Sequence, residues 1–165
     1  MFREMRRARQ MLPEAECIEI LRGGQTGILG VNGDDGYPYT VPINYVYEGG
    51  CIYIHGARSG HKLDAMNRDD RVSFCVIERD DVVPETLSTN YRSVILFGRA
   101  RVLEGDEMIE AARRLGLKYC PDPDAVEREI RRELPALCCV EIRIEHMTGK
   151  EGKALRDQRE AEQEK

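Results

Sequence analysis

The residues best suited to chemistry stand in one stretch, Ile52-Tyr53-Ile54-His55-Gly56-Ala57-Arg58-Ser59-Gly60-His61-Lys62. An alternating apolar run ends at His55, small residues follow, and basic side chains open what reads as a helix. Such a junction turns backbone N–H groups, the Ser59 hydroxyl and the charges of Arg58 and Lys62 toward one point. That is the donor set of an anion site, most simply of a phosphate. His61 adds a donor that a bound phosphate would keep protonated. The stretch is neither a G-x-x-x-x-G-K-[ST] loop nor a G-x-G-x-x-G fingerprint, so nucleoside triphosphate and Rossmann readings lack support. The same residues also read as a solvated turn with its basic groups in water, and the stretch alone leaves both readings open.

His55 has two readings as well. An imidazole at a strand end can hydrogen-bond an acceptor oxygen and stabilise negative charge developing there, or it can be held by backbone groups as part of the scaffold. Metal chemistry finds no such pattern. Cys17, Cys51, Cys75, Cys120, Cys138 and Cys139 show no C-x-x-C spacing, and His55, His61 and His146 do not stand beside a cysteine pair. Free, mostly buried thiols in a reducing cytosol are expected, with no metal. The net charge is −5 and the basic residues are interspersed with acids, which argues against nucleic acid. The start, Met1 to Arg7, runs straight into charge, and no apolar run reaches bilayer length. A cytoplasmic chain without a membrane partner is expected.

The elements that must position these groups follow from periodicity. At 165 residues and 41% hydrophobic content the chain suits one core. Pro13 to Arg22 reads as a helix stopped by Gly23-Gly24. Strands are predicted over Thr26 to Val31, Pro38 to Tyr47, Cys51 to His55, Arg71 to Ile77, Tyr91 to Leu103 and Leu137 to Ile144. The turns Asn32 to Gly36 and Glu48 to Gly50 join the first three, and Gly98 marks a bulge or a close approach. A helix after Gly60 carries Leu63 and Met66 on one side. Asp106 to Leu117 and Asp124 to Leu134 form a helical pair split by Pro121 and Pro123. The acidic stretch around Pro84 reads as irregular. Residues 1–150 form one domain and 151–165 a charged tail, solvated as a frayed helix or disordered. Six short-turned strands with few helices between them point to a mainly β, antiparallel barrel.

Several blocks in order carry a resemblance. Thr40-Val41-Pro42-Ile43-Asn44-Tyr45-Val46-Tyr47, Ile52 to Ala57, Gly60-His61-Lys62-Leu63-Asp64-Ala65-Met66, Arg71-Val72-Ser73-Phe74, Tyr91 to Ala100 and Met147-Thr148-Gly149-Lys150 are together similar to the nitroimidazole-resistance branch of the pyridoxamine 5′-phosphate oxidase-like proteins. The resemblance spans roughly residues 10 to 150. It implies a six-stranded antiparallel FMN-binding split barrel, a homodimer with FMN between its subunits, and reduction of a small electron acceptor such as a nitroimidazole.

The resemblance also implies the site. The FMN phosphate falls near Ser59, Gly60, His61 and Lys62, where Lys62 matches a basic residue usual in the fold and His61 stands where relatives often carry Arg. The ring falls along Val41, Pro42, Ile43 and Asn44, with Ile54 and His55 on the neighbouring strand, and Ser93 approaches a flavin from one of the two subunits. His55 is the candidate catalytic residue. Lys150 to Lys165 hold no aromatic residue, whereas pyridoxamine 5′-phosphate oxidases shape their vitamin pocket with C-terminal arginines and aromatics. Oxidation of that vitamer is therefore not expected. A flavin module without turnover, or a haem- or deazaflavin-binding member of the fold, are the alternatives to a reductase.

Overall fold

Strand alternation builds the core. In β2 (Thr26–Asn32) every second side chain is buried, and the same alternation runs through β5 (Cys51–Ala57) and the first half of β6 (Arg71–Val83). The computed structural model describes residues 2–163. The other elements are β1 (Met11–Leu12), α1 (Glu14–Gly23), β3 (Pro38–Asn44), β4 (Val46–Glu48), α2 (His61–Arg68), β7 (Ser88–Leu103), α3 (Gly105–Tyr119), α4 (Pro123–Glu133), β8 (Leu137–Glu151) and α5 (Lys153–Gln163). The strands form one antiparallel sheet in the order β3-β2-β6-β7-β8-β5-β4, with β1 added to β8. Its two edge strands, β3 and β4, are consecutive in sequence and separated only by Tyr45. The sheet therefore rolls until its edges meet at one residue, which makes a split barrel.

Tyr45 closes that seam. It is fully buried, its ring meets Phe74 edge-on at 5.1 Å, and its hydroxyl donates to the Leu21 carbonyl of α1 at 2.8 Å. Its backbone N–H donates to the Tyr119 hydroxyl at 3.0 Å, which ties the end of α3 to the seam. Leu21, Leu29, Ile52, Ile54, Leu96 and Ile142 fill the interior around them, each worth about 1.5–3 kcal/mol of burial. Gly27 lies flat under the Phe74 ring, where any Cβ would collide with it. A second, smaller core lies outside the barrel. There Met108, Ala111 and Ala112 of α3 and Val126 and Ile130 of α4 pack over Cys139 and Leu137 of β8.

The mainly β split barrel expected from the sequence is present, with eight strands among the described residues rather than six. The segment Pro38 to Tyr47 divides at Tyr45, because the chain must turn there to pass from one sheet edge to the other. Met11–Leu12 adds the further strand. β6 and β7 run on through the acidic stretch read as irregular, pairing as far as Val83 with Ser88. β8 extends to Glu151 instead of ending near Ile144. Gly98 marks both features named for it: a register shift separates Phe97 from Gly98, and a Cβ there would strike the Arg143 carbonyl. The tail is helical as α5, anchored by buried Leu155 and by Arg159, which donates to the buried Glu151 carboxylate at 2.5 and 2.9 Å.

Candidate functional site

The rim of the barrel carries the basic cluster. β5 ends at Ala57, the chain turns through Arg58 and Ser59, and α2 starts after Gly60, whose φ of 128° and ψ of 164° suit glycine alone. The Gly60 carbonyl accepts from the N–H groups of Leu63 and Asp64 at 2.9 and 3.0 Å, and no side chain caps the helix. The first-turn donors of His61 and Lys62 thus stay open to an external acceptor. Lys62 folds back over β5: a Cβ on Gly56 would stand 3.1 Å from its Nζ. Lys62 as a residue is half-buried and has no ion-pair partner among the described residues. An uncapped helix start beside an unpaired ammonium, with the exposed Ser59 hydroxyl next to it, fits a phosphate in donor type and charge.

The other basic groups are already engaged. Arg58 donates to the Leu137 carbonyl at 3.1 Å and the Leu134 carbonyl at 3.3 Å, so it holds the end of α4 against the barrel. The His61 ring stacks on Tyr39 at 4.1 Å and stands 3.6 Å from the Asp34 carboxylate, which Arg68 also pairs at 2.9 Å. What His61 offers an anion is chiefly its backbone N–H. The Cys138 thiol, paired across the sheet with Gly56, is pushed up by burial and drawn back down by the nearby charges of Arg58 and Lys62.

The strand residues split by face. Val41 and Ile43 turn inward against the core, while Pro42 and Asn44 face out. The Gly33 N–H to Tyr37 carbonyl bond of 3.0 Å starts the β2–β3 ladder, and counting by twos from it puts the backbone groups of Thr40, Pro42 and Asn44 on the open edge of β3. Pro42, which has no N–H, is tolerated there for that reason. That edge offers the N–H groups of Thr40 and Asn44 and alternate carbonyls. Asn44 Nδ2 donates to the Gln25 carbonyl at 3.1 Å. The Ile54 side chain is buried in the barrel and, counting by twos from the Ile144 N–H to Gly50 carbonyl bond, its backbone groups pair with Val140 of β8, so Ile54 offers a ligand neither.

His55 is exposed on the outer side of β5 and, with Asn44, lines a cleft of about 900 Å³ roofed by α3 and α4. Leu115, Val126, Ile130 and Leu137 supply apolar walls, and Tyr119, Glu129 and Glu133 supply polar ones. The sequence reading missed these α3 and α4 residues. The small pair Ala112 and Gly116, one turn apart, is the only local trace of the space they leave. Ser93 is not brought to this cleft. It lies on β7 and pairs with Lys150 of β8, whereas the β7 residue level with His55 across β8 is Leu103, ten positions along the strand.

A rolled antiparallel sheet with a basic cluster at its rim and a helical hairpin over its mouth defines the split β-barrel class. The chain belongs to the pyridoxamine 5′-phosphate oxidase family, whose model matches residues 13–151. No curated protein matches it. Among solved structures it is similar to a conserved hypothetical protein from Mycobacterium tuberculosis, with a TM-score of 0.78 and 23% identity, covering 92% of each chain. It is also similar to a FAD and haem binding protein from Mycobacterium smegmatis, with a TM-score of 0.73 and 21% identity, covering 87% of this chain and 74% of that one. A third is a candidate 5-nitroimidazole antibiotic resistance protein from Bacteroides thetaiotaomicron, with a TM-score of 0.69 and 21% identity, covering 85% of each chain.

Proposed function

We propose that this chain binds FMN and acts as a flavin-dependent reductase of nitroimidazole-like or other small electron acceptors. The observation that carries the reading is Lys62, without an ion-pair partner among the described residues, beside the uncapped start of α2. An unpaired ammonium beside uncapped helix N–H groups attracts an anion, and a ligand phosphate satisfies both. A FAD and haem binding protein of the same fold supports a flavin as the cofactor class.

When bound, the flavin supplies the electrons. The protein's residues position and shield. Lys62, Ser59 and the N–H groups of His61 and Lys62 would hold the phosphate. The open edge of β3, with alternating donors and acceptors at Thr40, Pro42 and Asn44, suits the hydrogen-bonding edge of a flat heterocycle. His55, exposed at the cleft floor, can donate a ring N–H to an acceptor oxygen and give up that proton as negative charge collects there. The apolar walls of α3 and α4 keep water from the reacting groups.

A homodimer completes this reading. Two cross-strand rows on the outer face, Pro42-Ile28-Cys75-Ile95-Thr148 and Thr40-Gly30-Ser73-Phe97-His146, contain no Lys, Arg, Asp or Glu. Ile95 is 45% exposed and Phe97 40% exposed, so this face suits a second copy rather than water. Ser93 borders it and would meet a flavin lying along the interface.

Purified protein should show an oxidised flavin spectrum, release FMN on denaturation, and scatter light as a dimer at micromolar concentration. Its flavin, once reduced, should be reoxidised anaerobically by a nitroimidazole. A Soret band, a colourless protein or a flavin that passes electrons to no acceptor would overturn the proposal.

A further inference from the structure

Resting on the homodimer reading above, we propose that the acidic β6–β7 arm of one copy docks on the basic N-terminal segment, residues 2–10, of the other. The arm is a two-stranded ribbon. Beyond Ile77, β6 pairs only with β7, as far as Val83 with Ser88, and its other edge is open. At ordinary strand rise that ribbon extends about 20 Å. Val82 is 72% and Leu87 96% exposed on it. A lone two-stranded ribbon is marginal in water, and an open edge with apolar side chains suits a partner.

Charge and symmetry together choose the partner surface. The arm holds Glu78, Asp80, Asp81 and Glu85 against Arg79 alone. Glu78 pairs with Arg92 and Asp81 with Arg79, while Asp80 and Glu85 have no ion-pair partner among the described residues. Lys150 and Lys153 at the root of the arm reduce its acidity without reversing it. The segment holds Arg3, Arg6, Arg7 and Arg9 against Glu4, and all four arginines are exposed and unpaired among the described residues. It lies at one end of the apolar outer face, where Phe2 stacks on Phe97 at 5.5 Å and on His146 at 4.7 Å. Arg99 pairs there with Asp70 and Glu145, a triad that takes one unit from the segment's excess and leaves it basic. The arm leaves the same face at its other end, past Ile77 and Ser93. A two-fold axis lying in the face and crossing the strands reverses their direction, so it carries the arm of one copy to the Phe97 end of the other. An axis along the strands would lay two acidic arms side by side, which like charge opposes.

The test is sedimentation of the full chain and two charge-reversal variants at low salt, alone and mixed. One variant carries Asp80→Lys with Glu85→Lys in the arm, the other Arg6→Glu with Arg7→Glu in the segment. All four positions are exposed, so both variants should melt as wild type does. Each variant alone sets like charge against like at both contacts and should dimerise on the order of tenfold more weakly than wild type. In the mixed dimer both contacts become attractive, so an equal mixture should recover dimer that neither variant forms alone. Were the arm paired with the segment of its own chain, mixing would recover nothing. Wild-type dimerisation should also weaken as salt is raised. A monomeric wild type would overturn the docking together with the dimer reading. A wild-type dimer whose variants dimerise equally well, whose mixture recovers no dimer, or whose affinity ignores salt would overturn the docking alone.

Discussion

Removing the Arg159 guanidinium should destabilise the whole barrel, although the residue lies in a tail of almost entirely charged sequence. Glu151 is 1% exposed at the end of β8, and Arg159 donates to its Oε1 from both Nε and a terminal nitrogen, at 2.9 and 2.5 Å. Glu16 of α1 stands 3.7 Å from the same guanidinium and also pairs with Arg92 of β7. Breaking a buried ion pair by removing one partner typically costs about 3–5 kcal/mol, because the remaining charge stays buried. Arg159 keeps 21% of its side chain exposed, so water can partly replace it, and we expect the lower end, about 3 kcal/mol. For a domain of this size that corresponds to a fall in Tm of roughly 6–12 °C for Arg159→Met. Glu151→Gln should restore part of the loss in the Arg159→Met background, since no charge is then stranded. Denaturation by urea and heat on the four proteins of the cycle supplies the coupling. An Arg159→Met protein with unchanged Tm, or strictly additive effects in the double variant, would refute the reasoning.

Two further outcomes follow from the same geometry. Asp69 accepts bonds from the Arg71 side chain and backbone and from Asn32, which hold its carboxyl well below the usual range. A depressed folded pKa adds stability above the ordinary carboxylate range that disappears as pH falls through the folded value, so Asp69→Asn should flatten the acid limb of a stability profile. A wild-type limb that the substitution leaves unchanged would count against this. His55→Gln should retain flavin and Tm while slowing nitroimidazole reduction on the order of a hundredfold, the usual scale for a lost general acid. Unchanged turnover in the flavin-loaded variant would make His55 a scaffold residue.

The parts of the fold legible in the sequence are those where one face is buried. The runs Thr26 to Val31 and Arg71 to Ile77 alternate because their neighbours are core and outer surface, and Gly98 announced its close approach to Arg143 by having no side chain. The β6–β7 arm beyond Ile77 was not legible, since Asp80, Asp81 and Val82 are all exposed and leave no period. For α5 a helix was one of two readings, but its attachment was not legible, since it rests on one leucine and on Arg159 pairing with Glu151 and Glu16. The residues proposed to hold a phosphate, Ser59 to Lys62, are neighbours in sequence, so their donor types could be read without knowing the fold. The cleft depends on how α3 and α4 pack across β5, through Tyr119 reaching Tyr45 and Arg58 reaching Leu134. Contacts separated by more than seventy residues leave no local mark.

The most direct test of a flavin held by its phosphate at the start of α2 is a titration of cofactor-stripped protein with FMN. Wild type is compared with the Ser59→Ala, Lys62→Ala double variant, with folding confirmed by thermal melting. Charge-assisted bonds to phosphate are worth about 1.5–3 kcal/mol each, so the double variant should bind FMN at least a hundredfold more weakly. Riboflavin, which lacks the phosphate, should bind both proteins alike. A folded double variant that takes up FMN with wild-type affinity would contradict the account.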